Sequence, residues 1–402
     1  MRFVGIDIAS QNHVVAILSE QGEVLLKPTS FGEDQGGYQK LKELLGEPAS
    51  CLVLLEATGH YWKNLAASLI GWGISLVLLN PLRTRRFAES DLERTKTDAL
   101  DALMLARLGK EKRPVPTILP DEATESLKEL VRHRDRIKQD FDDRLRQLHR
   151  MLDLVFPEMK PLFYDLGGPM ATTILAKYPT AQAIAQVRVK SLANLKYSER
   201  GLTVGVKLAT ELVTLAKVSV GAHPGPVYQL QVGHCCEDLD LWRKRLQQLE
   251  RDIENAVEKN DLARLLTTIE GVVGPLTSAR LLAELGDPAR FDSPEALAAY
   301  VGVVPALKQS GMNRGTKAGL TPVGNARLRT KLYMPVVNGI RANPWLKHHY
   351  ERLRAAGKPP KVAITACIRK LLHAVYSVAK SRKPFVPRLP QVALTPIAEP
   401  TP

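Results

Sequence analysis

The sequence is poor in cysteine, and no cysteine is spaced to bind a metal. The four that occur in 402 residues, Cys51, Cys235, Cys236 and Cys367, include no CxxC pair, which points to reduced thiols in a cytosolic protein. Long apolar runs are missing too. No uninterrupted stretch is long enough to span a bilayer. The opening MRFVGIDIAS sets an acid inside its apolar run, unlike a signal peptide. There is no internal repeat. Acids are the minority charge: 42 Asp and Glu against 56 Lys and Arg leave a net +14. Such an excess favours a polyanionic partner, nucleic acid before membrane, although a merely soluble basic enzyme would carry it as well. What the chain does have is apolar substance. At 45% hydrophobic residues it can build true cores, and its length suits two or three domains. Wholesale disorder and collagen are excluded.

Residues 1–112 read as α/β. RFVGIDI (2–8), HVVAIL (13–18) and 23–26 form three strands of an antiparallel meander, the second and third joined by Gln21-Gly22. A helix near 38–45, a strand CLVLL (51–55), a helix over 61–72, a strand ISLVLL (74–79) stopped by Asn80-Pro81, and a helix over 100–108 follow. Three hairpin strands and then alternating helix and strand is the order of an RNase H-like sheet. Residues 113–260 change character. Leu127, Leu130, Ile137, Phe141, Leu145, Leu148 and Leu152 recur at three- and four-residue steps, and 239–257 carries a second such stripe. The two predict either an antiparallel pair within the chain or a coiled coil between subunits. A helical insertion lies between them at about 157–225. Residues 261–380 form a further, mostly α-helical unit, and 381–402 a Pro-rich tail expected to be unstructured.

Four acids stand out. Asp7 lies in the middle of an otherwise apolar strand, where an ionised group needs a partner. Glu56 ends the fourth strand, beside that of Asp7 in an RNase H-like order. Asp98 and Asp101 are three apart on a helix and point the same way. Two carboxylates about 4 Å apart repel by roughly 4 kcal/mol at an effective dielectric near 20. Four together therefore call for protons or a cation, and an oxygen-only donor set favours Mg²⁺ or Mn²⁺. Read one at a time, Asp98 and Asp101 also fit solvated helix acids, and Glu56 a turn cap.

Downstream, Gly271 and Gly274 allow a tight turn before a helix near Pro275. Free N–H groups there could bind a DNA phosphate, and a plain helical hairpin would look the same. In YVGVVPALKQSGMNRGTKAGLTPVGNARLRTKL (300–332), Ser310-Gly311 sits among Lys308, Arg314, Lys317, Arg327, Arg329 and Lys331. These cations suit a phosphodiester, and a serine attacking one would store its bond energy as a phosphoserine ester.

GIDIAS (5–10), LLEATGHYWKNLA (54–66), LLNPLRTRRFA (78–88) and RTKTDALDALMLA (94–106) together resemble the first domain of the DEDD insertion-sequence transposases, the bridge-RNA-guided recombinases. That resemblance implies a RuvC-like catalytic domain with Asp7, Glu56, Asp98 and Asp101 as its metal-binding acids. The family's C-terminal serine transposase domain is matched by Gly302, Pro305, Ser310, Gly311, Gly324, Asn325, Leu328 and Arg329, which implies Ser310 as nucleophile. It also implies donor and target DNA, a guide (bridge) RNA, dimers that pair into a tetramer with a composite active site, and work at the bacterial nucleoid without a membrane.

Other readings remain open. A RuvC-like nuclease or resolvase would hydrolyse DNA with water, using the four acids without Ser310. A non-enzymatic nucleic-acid-binding protein needs only charge and helical hairpins. An actin-like kinase would need a second such sheet with a Gly-rich phosphate loop, where this chain passes into basic amphipathic helices.

Overall fold

The computed structural model describes residues 1–90, 97–307, 317–320 and 323–387. The chain divides into two compact units, Met1–Leu119 and Pro120–Pro402.

The first unit is built on a five-stranded mixed sheet. Strands β1 (Arg2–Asp7), β2 (Asn12–Leu18) and β3 (Val24–Gly32) form the antiparallel meander. Strands β4 (Cys51–Glu56) and β5 (Ser75–Leu79) add in parallel on the other side of β1, giving the order β3-β2-β1-β4-β5. Helices α1 (Gln35–Leu45), α2 (Trp62–Gly71), α3 (Pro81–Ser90) and α4 (Asp98–Lys112) complete the unit. The pleat sorts the side chains. Val4, Ile6, Val53 and Leu55 share one core with Leu41 of α1 and Leu65 of α2. Phe3, Leu52 and Leu54 share the other with Leu105 and Leu108 of α4.

Three local features differ from the sequence reading. Asp7 is the last residue of β1 rather than a mid-strand acid. β3 runs on past Pro28 to Gly32, because it is an edge strand and a missing N–H costs little there. Pro81 does not merely stop β5. It opens α3, occupying the first helical position, where no backbone donor is needed.

Among the described residues the second unit is helical apart from a two-stranded hairpin and one isolated bridge. Its frame is α5 (Glu122–Val155), followed by a 3-10 turn at Pro157–Leu162 and the insertion helices α6 (Pro169–Lys177), α7 (Ala181–Ala185), α8 (Val189–Ala193) and α9 (Val206–Lys217), then α10 (Pro226–Glu258). Leu127 and Val131 at the start of α5 meet Ile253 and Val257 at the end of α10. Leu148–Val155 at its end meet Val232 and Leu239 near the start of α10. The two stripes therefore form an antiparallel pair within one chain. Cys235 and Cys236 are buried in that second core, and burial raises both thiols, Cys236 to about 12.

Helices α11 (Asp261–Thr267), α12 (Pro275–Leu285) and α13 (Pro294–Val301) lead into the hairpin β6 (Pro305–Leu307) and β7 (Lys317–Leu320), and α14 (Ala326–Ala342), α15 (Pro344–Ala355) and α16 (Pro360–Ser381) close the unit. Among the described residues α16 is the one helix long and apolar enough by composition to cross a membrane, and half of that window is buried. Cys367, Leu371 and Val375 fill the core of this unit, which accounts for the apolarity. The tail begins in order. The Phe385 N–H donates to Thr268 Oγ1 at 2.8 Å, and the ring packs edge-on against Trp345.

Candidate functional site

The acids of the first unit are brought together by one close approach. A Cβ on Gly5 would lie 2.0 Å from the Ala102 carbonyl oxygen and 2.5 Å from the Ala106 nitrogen, so only glycine lets β1 lie against the backbone of α4. Asp7 is two residues further along the same face of β1. The helix turn beyond Ala102, toward the N-terminus of α4, carries Asp98 and Asp101. Thr97 caps that end, its hydroxyl accepting from the Leu100 N–H at 3.3 Å. Glu56 reaches the same place from β4, where Ile6 pairs with Leu55 and the next residues along both strands are the acids.

Asp7 records the crowding. Burial first, then the charges of Asp101, Asp98 and Glu56, push its carboxyl up to about 6. All four acids named from the sequence thus lie near one end of one sheet. Their donor set is oxygen only, and Asp7 carries a repulsion that a hard divalent cation relieves, so the residues fit Mg²⁺ or Mn²⁺ in kind. Among the described residues no three carboxylate, imidazole or thiol groups stand as a ready metal cage.

Two supports of this site escaped the sequence reading. Glu56 accepts hydrogen bonds from Thr58 Oγ1 to Oε1 and from Thr84 Oγ1 to Oε2, each 2.6 Å long, and Thr84 is buried. The second support is His13, which is fully buried. The Ala9 N–H donates to its Nδ1 at 3.3 Å, so the ring proton belongs on Nε2, which faces Glu33 Oε2 at 2.7 Å. The Glu33 carboxylate also accepts from Tyr38 Oη at 2.7 Å and Asn64 Nδ2 at 3.0 Å. Burial pushes Glu33 up, but these donors outweigh it and hold it below the usual range. The Glu33 N–H donates to the Gln11 carbonyl at 2.9 Å. The turn that follows Asp7 is thereby fixed at both Ala9 and Gln11. A histidine in the strand HVVAIL is the signal the sequence offers for this support, and by itself it reads as ordinary strand.

In the second unit Lys308, Ser310, Gly311 and Arg314 lie outside the described residues, and Lys317 begins β7. The glycines that flank the segment carrying them lie against each other. Gly302 (φ +80°) and Gly324 (φ +125°) touch backbone to backbone, and a Cβ on Gly324 would lie 2.7 Å from Gly302 Cα. The Asn325 N–H donates to the Tyr300 carbonyl at 2.8 Å, and Asn325 Oδ1 caps α14 by accepting from the Leu328 N–H at 2.9 Å. Arg329 donates from Nη1 to the carbonyls of Val301 and Gly302 at 3.1 and 3.2 Å. Arg327 faces inward as well as out, with Nε 3.6 Å from Glu284 and Nη2 3.7 Å from Asp135. Gly271 takes φ +72° in its turn, and Gly274 precedes Pro275, the first residue of α12. Glu250 and Glu254 line the same small cleft as Gly274.

A mixed sheet with four acids gathered near one end of its inner strands, followed by a helical unit, is what the comparisons with known proteins meet. One transposase family model matches residues 4–157, and that of the transposase IS116/IS110/IS902 family matches residues 263–351. The two matches together place the chain in the IS116/IS110/IS902 family of transposases. It is similar to the pilin gene-inverting protein of Moraxella bovis, with 25% identity over 96% of this chain and 98% of that one. It is also similar to a candidate transposase of the IS117 mini-circle of Streptomyces coelicolor, with 28% identity over 95% of each.

Proposed function

We propose that this protein recombines DNA through a phosphoserine intermediate, with an RNase H-like acidic site and Ser310 acting on the same phosphodiester. Asp7, Glu56, Asp98 and Asp101 would hold Mg²⁺ or Mn²⁺, which supplies Lewis-acid stabilisation of phosphate oxygens when bound. The protein's own part is to position and to move a proton. Ser310 Oγ forms a bond to phosphorus as the sugar oxygen leaves. The serine proton passes to the acidic site and then to the departing oxygen. A second DNA end reverses the step and releases the serine, so no ATP is consumed. Lys308, Arg314, Lys317, Arg327 and Arg329 would offset the phosphate charge, and the N–H groups beside Gly271 and Gly274 a backbone phosphate. The resemblance of the motifs supports a guide RNA and a dimer that pairs into a tetramer, working at the bacterial nucleoid.

The observation that carries this reading is the close approach of β1 to α4 at Gly5, which sets Asp7 toward the end of α4 that bears Asp98 and Asp101, with Glu56 next to it in the β1–β4 register. The test compares Ser310→Ala with Asp7→Ala on DNA carrying the element's ends. Both should abolish strand exchange, and Ser310→Ala should also remove the protein–DNA band on a denaturing gel. Strand exchange retained by Ser310→Ala with the band still present would overturn the serine role. Cleavage retained by Ser310→Ala and lost by Asp7→Ala would assign the chemistry to water.

A further inference from the structure

A second basic surface lies away from the Ser310 segment, on α15 and α16. From Pro344 to Lys361 the chain carries five cations, Lys347, Arg352, Arg354, Lys358 and Lys361, and one acid, Glu351. That acid is engaged on its own helix, 3.9 Å from Lys347. Facing α15, Lys370 of α16 sets its Nζ 4.6 Å from the centre of the Trp345 ring. The ring is itself fixed, buried and packed against Phe385. Arg352 Nη2 lies 3.3 Å from His349 Nδ1. Burial first, then Lys370, Arg352 and His348, push that imidazole down to about 4. His349 is therefore neutral at physiological pH and can accept from the guanidinium. On the next turn of α16, His373 faces Arg369 and feels Glu295. Among the described residues neither Arg352 nor Lys370 has a carboxylate within 4.0 Å.

Cations held in place without counter-charges are unfavourable unless an anion completes them. Here the two central ones are oriented by an aromatic face and a neutral imidazole, so little ordering remains to be done on binding. We propose that the junction of α15 and α16 is a second nucleic-acid contact, in which Arg352 and Lys370, flanked by Lys347 and His348, bind backbone phosphates. The proposal rests on the reading of this chain as a nucleic-acid enzyme, but it concerns binding and not chemistry. A surface of this kind reads charge and spacing, not base identity.

The experiment measures anisotropy of the full-length chain with two labelled probes, a random-sequence DNA duplex and a structured RNA of similar length, without divalent metal, from low to moderate KCl. Failure of the Ser310 chemistry leaves this measurement readable. The double variant Arg352→Gln/Lys370→Gln should weaken at least one probe about tenfold near 0.15 M salt, and lower the slope of log affinity against log salt by about two on duplex DNA. The probe affected identifies which nucleic acid the surface holds. Lys207→Gln/Lys217→Gln on α9 removes the same charge elsewhere and should change little. Unchanged binding of both probes, or equal loss in the α9 control, overturns the proposal. Circular dichroism on each variant, and the single variants if the pair misfolds, keep a folding defect from being read as lost binding.

Discussion

Arg280 on α12 donates to Asp135 on α5 at 2.6 Å, joining residues 145 apart in sequence. Asp135 is almost fully buried, and Lys331 of α14 lies 3.2 Å from its other oxygen. Burial pushes this carboxyl up, but Arg280 and Lys331 outweigh it and hold it below the ordinary range. Three helices are thus tied at one charge. Asp135→Ala should destabilise the protein by about 3 kcal/mol, since it leaves part-buried cations unpaired. Urea unfolding checks this. Because the folded carboxyl sits low, its contribution is present above the unfolded value and lost as pH falls through the folded one. The deficit of Asp135→Ala relative to wild type should therefore shrink in strongly acidic buffer.

Asp7 has the opposite sign. Its folded carboxyl is raised to about 6, so the folded protein binds the proton more tightly than the unfolded chain. Stability should fall as pH rises from about 4 to about 6 and level off above. Asp7→Asn should remove that slope. After allowance for solvent screening of a half-exposed group, it should stabilise the protein by about 1 kcal/mol at pH 7. Calorimetry across pH reads it. Mg²⁺ should raise the melting temperature of the wild type at pH 7 and leave Asp7→Asn largely unmoved, and a shift retained by Asp7→Asn would dissociate Asp7 from metal binding.

The Thr84 hydroxyl lies 2.6 Å from one oxygen of Glu56 and 2.9 Å from the Pro81 carbonyl of its own turn, and the charged acceptor is the stronger. Thr84→Val keeps shape and loses the donor. Strand exchange should drop about tenfold, in line with roughly 1.5 kcal/mol for a hydrogen bond to a charged group. Thr84→Ser should restore it. Equal activity of the valine and serine variants would show that Glu56 is positioned without this bond.

His13 and Glu33 should behave as one element. His13→Leu removes the acceptor of the Ala9 N–H and leaves the Glu33 carboxylate one donor short. Each single variant, His13→Leu or Glu33→Gln, should cost about 1–3 kcal/mol, and the double variant less than their sum. Denaturant midpoints in a double-mutant cycle measure the coupling. Additive losses would mean that the two hold the turn after Asp7 independently.

Much of the first unit was legible because its strands are short apolar runs bounded by Gly, Asn and Pro, and the pairing of β1 with β4 follows from their order. The convergence of Asp7, Glu56, Asp98 and Asp101 was legible for the same reason: each lies at or near an element end that the order brings to one end of the sheet. Thr84 was hidden because Asn80-Pro81 reads equally well as a strand stop and as a helix start. His13 and Glu33 were hidden because their pairing depends on the register of β2 with β3, which includes an irregularity between Val15 and Ile17. The antiparallel pairing of α5 and α10 could not be chosen from periodicity, since a stripe of leucines does not say whether its partner is on the same chain. Asp135, set among Arg and Lys on a long helix, reads in sequence as one more solvated acid.

The contact of Gly302 with Gly324 has a consequence for how this family can vary. Because Gly302 and Gly324 meet backbone to backbone, they fix the two ends of a loop, and the entropy of closing a loop grows only with the logarithm of its length. Doubling it would cost about 0.6 kcal/mol in closure entropy, far less than a single side chain forced onto either glycine. Length between the two glycines can therefore change at little cost in folding, provided Ser310 and its neighbouring cations keep their chemistry and Gly302, Gly324 and the Asn325–Arg329 clasp stay as they are.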